Sequence, residues 1–297
     1  MAYARVREAM PRRGASAWFA GCAAVVLALL GLTVGAHHPL SPSFAVLVFA
    51  LIAVAGFLWI APTTLIAVPA LLPLLAFAPW TGWIAIEEFD LLVLAVCAGG
   101  YARLAASPSE HRSRTTPLTA VLILLFAASL ILSAVRGIDD AGGFHFGWYQ
   151  GYREPMNSVR LAKGFFLAAL MLPLWSAAHR TSPMRATSLL LTGLTLGLIG
   201  ASVAALWERL AFTGLLNFST VYRTTALFWE MHVGGASLDG FLALSIPPAL
   251  VALYRTDTPA LRAAAGAALL AASYAALTTF SRGVYLAVPV GAAATLC

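Results

Sequence analysis

The feature that most constrains this chain is a succession of apolar stretches, each close to the ~20 residues a helix needs to cross a bilayer. "AWFAGCAAVVLALLGLTVGA" at 17–36 is the first of them. Segments this apolar have too little polar surface to share one soluble core. Lipid leaves their side chains in an apolar medium, and a helix satisfies every backbone group within its own segment. Composition agrees: 61% of the residues are hydrophobic and 10% are charged, against roughly 25% charged in a soluble domain. The predicted fold class is all-α, a polytopic transmembrane helical bundle.

About ten spans are predicted, over 16–36, 43–61, 63–79, 89–106, 117–135, 160–178, 186–207, 236–254, 263–280 and 284–297. The third carries Pro69 and Pro73, which predict a kinked or re-entrant segment. The basic start "RVREAMPRR" before the first span resembles a signal peptide, but its apolar stretch exceeds the usual ~7–15 residues. It reads as an uncleaved first helix. Cys22, Cys97 and Cys297 lie in apolar stretches without metal-like or disulfide-like spacing.

Lysine and arginine set the orientation. With the N-terminus inside, the inner ends and loops hold eleven basic residues and three acidic ones, and the outer ones seven basic and nine acidic. The net charge of +6 is therefore a topology signal, and no nucleic-acid partner is predicted. The organisation that follows is a cytoplasmic basic N-terminus (1–15), N-terminal transmembrane helices (16–185) with an outer loop at 136–159, and a second helical unit (186–297) with an outer loop at 208–235. The chain stops at Cys297 inside an apolar run, which predicts that it is cut off within its tenth span.

The outer basic residues run against the usual charge bias, and three stretches hold them. In "GFHFGWYQGYREPMNSVRLAKGFFLAAL" (143–170), Arg160 and Lys163, the only lysine, are i, i+3 neighbours on one helix face. Burying them costs about 2.5–3.5 kcal/mol each, so they face the bundle interior or snorkel outward. Trp148, Tyr149 and Tyr152 form an interfacial belt or a sugar-stacking surface.

In the 208–235 loop, Arg223 precedes two threonines that can add hydrogen bonds to phosphate-like oxygens, and "LLNF" and "ALFW" can rest on the membrane surface. Glu230 and His232 lie two residues apart beside Gly234-Gly235; His232 reads as a general base with Glu230 orienting a hydroxyl, or as a structural hydrogen-bonder. Asp239, one turn into the eighth span, needs an internal partner, with Arg223 or Arg282 as the candidates.

The third stretch is "SRG" at 281–283, an arginine between two apolar runs with no acidic residue within twenty positions. Arginine's planar fork matches phosphate oxygens bidentately. The alternative is a pin joining Asp239 or a carbonyl to a neighbouring helix. No P-loop, Gly-x-Ser-x-Gly, Cys-x-x-Cys or His-Glu-x-x-His pattern occurs, and the six histidines have no metal spacing.

"YRTTALFWEMHVGGASLDGFLALSIP" followed, after a cytoplasmic hairpin, by "ALTTFSRGVYLAV" resembles the core of the O-antigen ligase and polymerase family of bacterial envelope proteins. The resemblance covers about 186–297. It implies a metal-independent inner-membrane glycosyltransferase, active at the periplasmic face, with no cofactor. The glycan would come from undecaprenyl diphosphate, and an acceptor saccharide or lipid A-core would receive it. Arg223 and Arg282 match the two family arginine positions in local context and would grip the diphosphate, with Arg160 and Lys163 as further candidate diphosphate ligands. The family's histidine lies in a large later loop beyond Cys297, which leaves His232 and Glu230 as the candidate catalytic pair. Two other classes compete with this reading: a transporter or flippase for an anionic lipid-linked sugar, and a non-catalytic envelope scaffold.

Overall fold

A computed structural model describes residues 13–75, 86–107, 116–144, 154–219, 222–228 and 236–296. Among these residues the chain is all-helical. The rods, in chain order, are α1 Arg13–Ala36, α2 Pro42–Leu58, α3 Ile60–Leu71, α4 Glu88–Ala106, α5 Pro117–Asp140, α6 Pro155–Thr181, α7 Pro183–Phe212, α8 Ala236–Arg255, α9 Pro259–Thr278 and α10 Arg282–Leu296. Six of them (α1 from Ser16, α4, α5, α6, α7 and α8 from Ser237) are long and apolar enough to cross a membrane, and α2 and α3 are shorter apolar helices.

Helix starts follow from local chemistry. Proline stands in the first turn of α2, α5, α6, α7 and α9, where its missing N–H costs nothing and its fixed φ is already helical. The residue before it is pushed to extended backbone, as at Thr116, Glu154, Ser182 and Thr258. Within the rods, hydroxyls fold back onto the preceding turn: Thr33, Thr192, Thr195 and Ser273 each donate to the carbonyl four residues earlier at 2.8–2.9 Å. A hydroxyl satisfied this way makes little demand on lipid or on a neighbouring helix.

Two cores organise the bundle. In the first, α4 is wrapped by α1 and α2, and every residue from Asp90 to Gly100 is buried. Glycines allow the close approach: a Cβ on Gly56 would lie 3.0 Å from the carbonyl oxygen of Val96. The second core joins α7, α8, α9 and α10 around Leu198, Leu238, Leu242, Ala272 and Val284. Both α8 and α10 begin at the same end of the bundle and run side by side, with Gly291 of α10 against Pro247 of α8.

The third rod wedges between the two cores and is irregular. Residues Thr63–Ala67 form a π-helical turn between Pro62 and Pro69, and the rod ends at Leu71. Twelve helical residues rise only about 18 Å, short of a ~30 Å hydrocarbon core. A small-residue stripe on α7 receives it: a Cβ on Gly193 would sit 2.5 Å from the Leu65 carbonyl oxygen and 2.7 Å from Pro69 Cγ.

Element ends move relative to the sequence expectation. The outer connection expected at 136–159 narrows to 141–154, because α5 runs on to Asp140 and α6 begins at Pro155. That expected at 208–235 begins at Thr213, because α7 continues through Glu208, Arg209 and Phe212. Charge ends an apolar run, but a helix continues while its backbone bonds and side chains find partners.

The surface is apolar well beyond what a soluble bundle shows. No residue of α5 is buried, and Leu118, Leu122, Leu124, Leu125 and Phe126 are among its exposed side chains. Such a face requires an apolar surround, so the chain is a membrane protein.

Candidate functional site

The end of the bundle where α7 and α9 finish and α8 and α10 begin carries the arginines singled out above. Arg223 lies in the extended segment Tyr222–Thr225, whose backbone docks onto the end of α9 through Thr224 N donating to Thr278 O at 3.1 Å. From there Arg223 Nε donates to the carbonyl of Thr279 at 2.7 Å, and a terminal nitrogen reaches Asp239 Oδ2 at 3.4 Å. Asp239 therefore finds Arg223 as an internal partner, and the α7–α8 connection is tied to both α9 and α8. The remaining terminal nitrogen of Arg223 has no hydrogen bond among the described residues, and the side chain is about one-third exposed.

Thr279 opens the tight turn that contains Arg282. Phe280 takes a left-handed φ of 51°, Ser281 N bonds Thr279 Oγ1 at 3.3 Å, and α10 starts at Arg282. Arg282 is exposed and makes no hydrogen bond or ion pair among the described residues. Helix N-termini favour negative groups, so an arginine here adds a second positive element to an already electropositive end. The neighbouring Gly283 is open: a Cβ there would meet only Ser281 Oγ, at 3.7 Å.

What holds Arg223 in place is a pair of adjacent residues in the last turns of α7. Glu208 and Arg209 are 4% and 0% exposed. The Glu208 carboxylate accepts from Ala226 N at 2.6 Å, Thr225 N at 3.0 Å and Tyr222 Oη at 2.7 Å. Arg209 donates to the carbonyls of Asn217 and Tyr222 and lies 5.9 Å over the Phe218 ring. One side chain collects the loop's donors and the next collects its acceptors. Burial, and then the hydrogen bond to Glu208, push the Tyr222 phenol above its ordinary range. Sequence reading missed this clamp. Its signal was present in "LWERL", two opposite charges at the end of an apolar span.

Ala226 also has a left-handed φ, 54°, and with Phe280 it completes the non-glycine positive-φ residues among those described. Each such conformation costs of order 1–3 kcal/mol. Both flank the arginines.

The other candidates divide. Lys163 Nζ sits 2.6 Å from Asp90 Oδ2 and 3.6 Å from Glu87 Oε1, so it faces the bundle interior. Asp90 Oδ2 also accepts from Glu87 N at 2.8 Å, which joins the start of α4 to α6. Arg160 Nε bonds Asn157 Oδ1 at 3.3 Å, and His38 Nε2 meets Glu88 Oε1 at 3.4 Å. Burial raises the Glu87 carboxyl above its ordinary value, against the pull of Lys163. Arg160 and Lys163 thus belong to a second polar group at the same end. No contact among the described residues links that group to Arg223. The acidic residues of α4 compete for Lys163, and nothing in the spacing of 160 and 163 announced them.

Glu230 and His232, the Gly234-Gly235 pair, and the aromatics Trp148, Tyr149 and Tyr152 lie outside the described residues. Phe228 of "ALFW" is buried against Phe241, ring centroids 5.9 Å apart, where a membrane-surface position was expected; Leu216 and Phe218 of the preceding stretch are exposed. Among the described residues no group of histidine, cysteine and carboxylate side chains could hold a metal ion.

Comparison of the chain with models of protein families, with curated proteins and with solved structures finds no match.

Proposed function

We propose that this is a multi-pass protein of a bacterial inner membrane that transfers a glycan from undecaprenyl diphosphate to an acceptor sugar hydroxyl, on the model of O-antigen ligases. In this reading the ten rods cross or enter the membrane with the N-terminus inside, and the Arg223–Arg282 end faces the periplasm. The observation that carries it is the hydrogen bond from Arg223 to the carbonyl of Thr279, three residues before Arg282. It brings the Arg223 side chain to the turn that leads into Arg282, far away in sequence.

The chemistry asks for such a pair. The acceptor oxygen bonds to the anomeric carbon as that carbon's bond to the diphosphate oxygen breaks, and the hydroxyl proton passes to a base. Negative charge grows on the departing diphosphate. Preorganised guanidinium donors stabilise it without reorganising during the reaction. Asp239 and the Thr279 carbonyl aim Arg223, the Glu208–Arg209 clamp fixes the segment that carries it, and Arg282 supplies a charge with no partner among the described residues. The proton acceptor belongs to the Glu230–His232 segment, which follows Arg223 and precedes Asp239 in sequence.

Asp239 offsets one of the two positive charges. It orients Arg223 at the expense of raw anion affinity, which suits a site that must release its diphosphate product. A transporter of the same anionic lipid is favoured by one feature, the broken rod α3, since discontinuous helices line transport sites. That rod packs on α7 at Gly193 and Gly197, with no described contact to Arg223 or Arg282.

The test uses Arg223→Ala and Arg282→Ala, in the chain reconstituted in lipid nanodiscs and in the cell. Each variant should weaken binding of undecaprenyl diphosphate by about tenfold or more and lower transfer of surface polysaccharide. Native binding and native transfer in both variants would remove the proposal. Native binding competence accompanied by lipid flipping and no transfer would favour transport.

A further inference from the structure

The opposite end of the bundle holds a cavity of about 420 Å³. The α2–α3 junction, the end of α4 and the α6–α7 turn line it, and one side is open. Its lining is mostly apolar, with Leu58, Ile60, Leu104 and Leu189 contributing, and includes the exposed Arg103 and Arg185. Among the described residues no acidic side chain lines it.

Arg103 lies 5.8 Å over the Phe57 ring. Arg185 is exposed, and neither side chain makes a hydrogen bond or ion pair among the described residues. Ser107 and Ser182 add hydroxyls to the lining. Trp59, also lining the cavity, is 61% exposed, and tryptophan settles at the level of lipid headgroups. A mostly apolar lining that also carries cationic and hydroxyl groups is complementary to an amphiphile with an anionic head. The volume exceeds what a free phosphate ion would fill, since a whole water molecule occupies only about 30 Å³.

We infer that this cavity binds an anionic phospholipid. Its phosphate lies between Arg103 and Arg185, and its glycerol and first methylenes lie against the Leu58–Leu104–Leu189 wall. Basic pockets between membrane helices on the cytoplasmic side are suited to such headgroups, and this end carries the excess of arginine. The site sits at the far end from the Arg223–Arg282 group. It depends on the membrane reading of the chain and not on glycan transfer, so either can fail alone.

The purified chain is titrated with phosphatidylglycerol, phosphatidylcholine or free glycerol phosphate in detergent, and its unfolding temperature is followed. Phosphatidylglycerol should raise that temperature in a concentration-dependent way, with no comparable shift from the other two. The Arg103→Gln/Arg185→Gln chain should lose about a hundredfold in apparent affinity. Equal stabilisation by both lipids, or an unchanged response in the double variant, overturns the proposal; a shift from glycerol phosphate alone assigns the site to a soluble anion and does the same. If the double variant does not fold, a photoreactive phosphatidylglycerol on the native chain decides. Labelling should fall on peptides containing 58–62, 103–107 and 181–189, and labelling confined elsewhere overturns it.

Discussion

Replacing Glu208 by alanine should unfasten the segment that carries Arg223 without touching either arginine. The carboxylate is 4% exposed and accepts from two consecutive backbone amides, Thr225 and Ala226, at 3.0 and 2.6 Å. Alanine strands both N–H groups. Each unmet buried donor costs about 1–3 kcal/mol; these two amides are half-buried, so the local loss is about 1–3 kcal/mol in all. Tyr222 adds little to this sum, because its half-buried hydroxyl can turn to water. Glutamine keeps one acceptor oxygen for the two amides and gives up the charge, for a loss of about 1–2 kcal/mol. Limited proteolysis of the folded chain, read at 213–228, and unfolding in detergent followed by tryptophan fluorescence measure the two variants. The expected order of cleavage is alanine fastest, glutamine next and native slowest. Since Ala226 holds a left-handed φ under this carboxylate, its release also frees the segment from strain, and under the proposed function undecaprenyl diphosphate binding should fall with Arg223 still present. Cleavage and unfolding equal to the native chain in Glu208→Ala would refute the clamp.

Two other perturbations follow from packing and titration. Gly193→Ala places a Cβ 2.5 Å from the Leu65 carbonyl oxygen and 2.8 Å from Ile66 Cα; forcing α3 away from α7 should cost about 1–3 kcal/mol, seen as a lower unfolding temperature, and an unchanged value would mean that the wedge is not tightly packed. Glu87 has a carboxyl raised by burial above 4.5, so the folded chain binds its proton more strongly than the unfolded chain. Its contribution to stability is fully present below pH 4.5 and is lost as pH rises through the raised value. Glu87→Gln should flatten that part of the curve of unfolding temperature against pH, and an unaltered slope would place the titration elsewhere.

Several features of the site were legible in the residues themselves. An aspartate one turn inside an apolar span demands a partner, and Asp239 has one in Arg223. An arginine with no nearby acid, Arg282, stands at a helix start with no described partner. Both conclusions need only the cost of charge in an apolar setting. Lys163 shows where such reasoning stops. Its position on a helix face was evident, but Asp90 lies on a helix that begins 75 residues earlier. Glu208 and Arg209 were counted as outer charges, while their task depends on backbone groups of a loop whose path no propensity encodes.

The sequence alone determined that the chain is helical and apolar, because in lipid each segment must satisfy its own hydrogen bonds and hydropathy is a local property. Proline and charge marked most ends of those helices by equally local rules. Tertiary structure decided which charges meet. It drew Lys163 onto α4, set Arg223 on the α9–α10 turn, and opened a cationic cavity at the other end, since pairings across a bundle arise from contacts between distant segments. Those contacts depend on where glycines such as Gly193 let helices approach, and the distances involved are set only once every helix is packed.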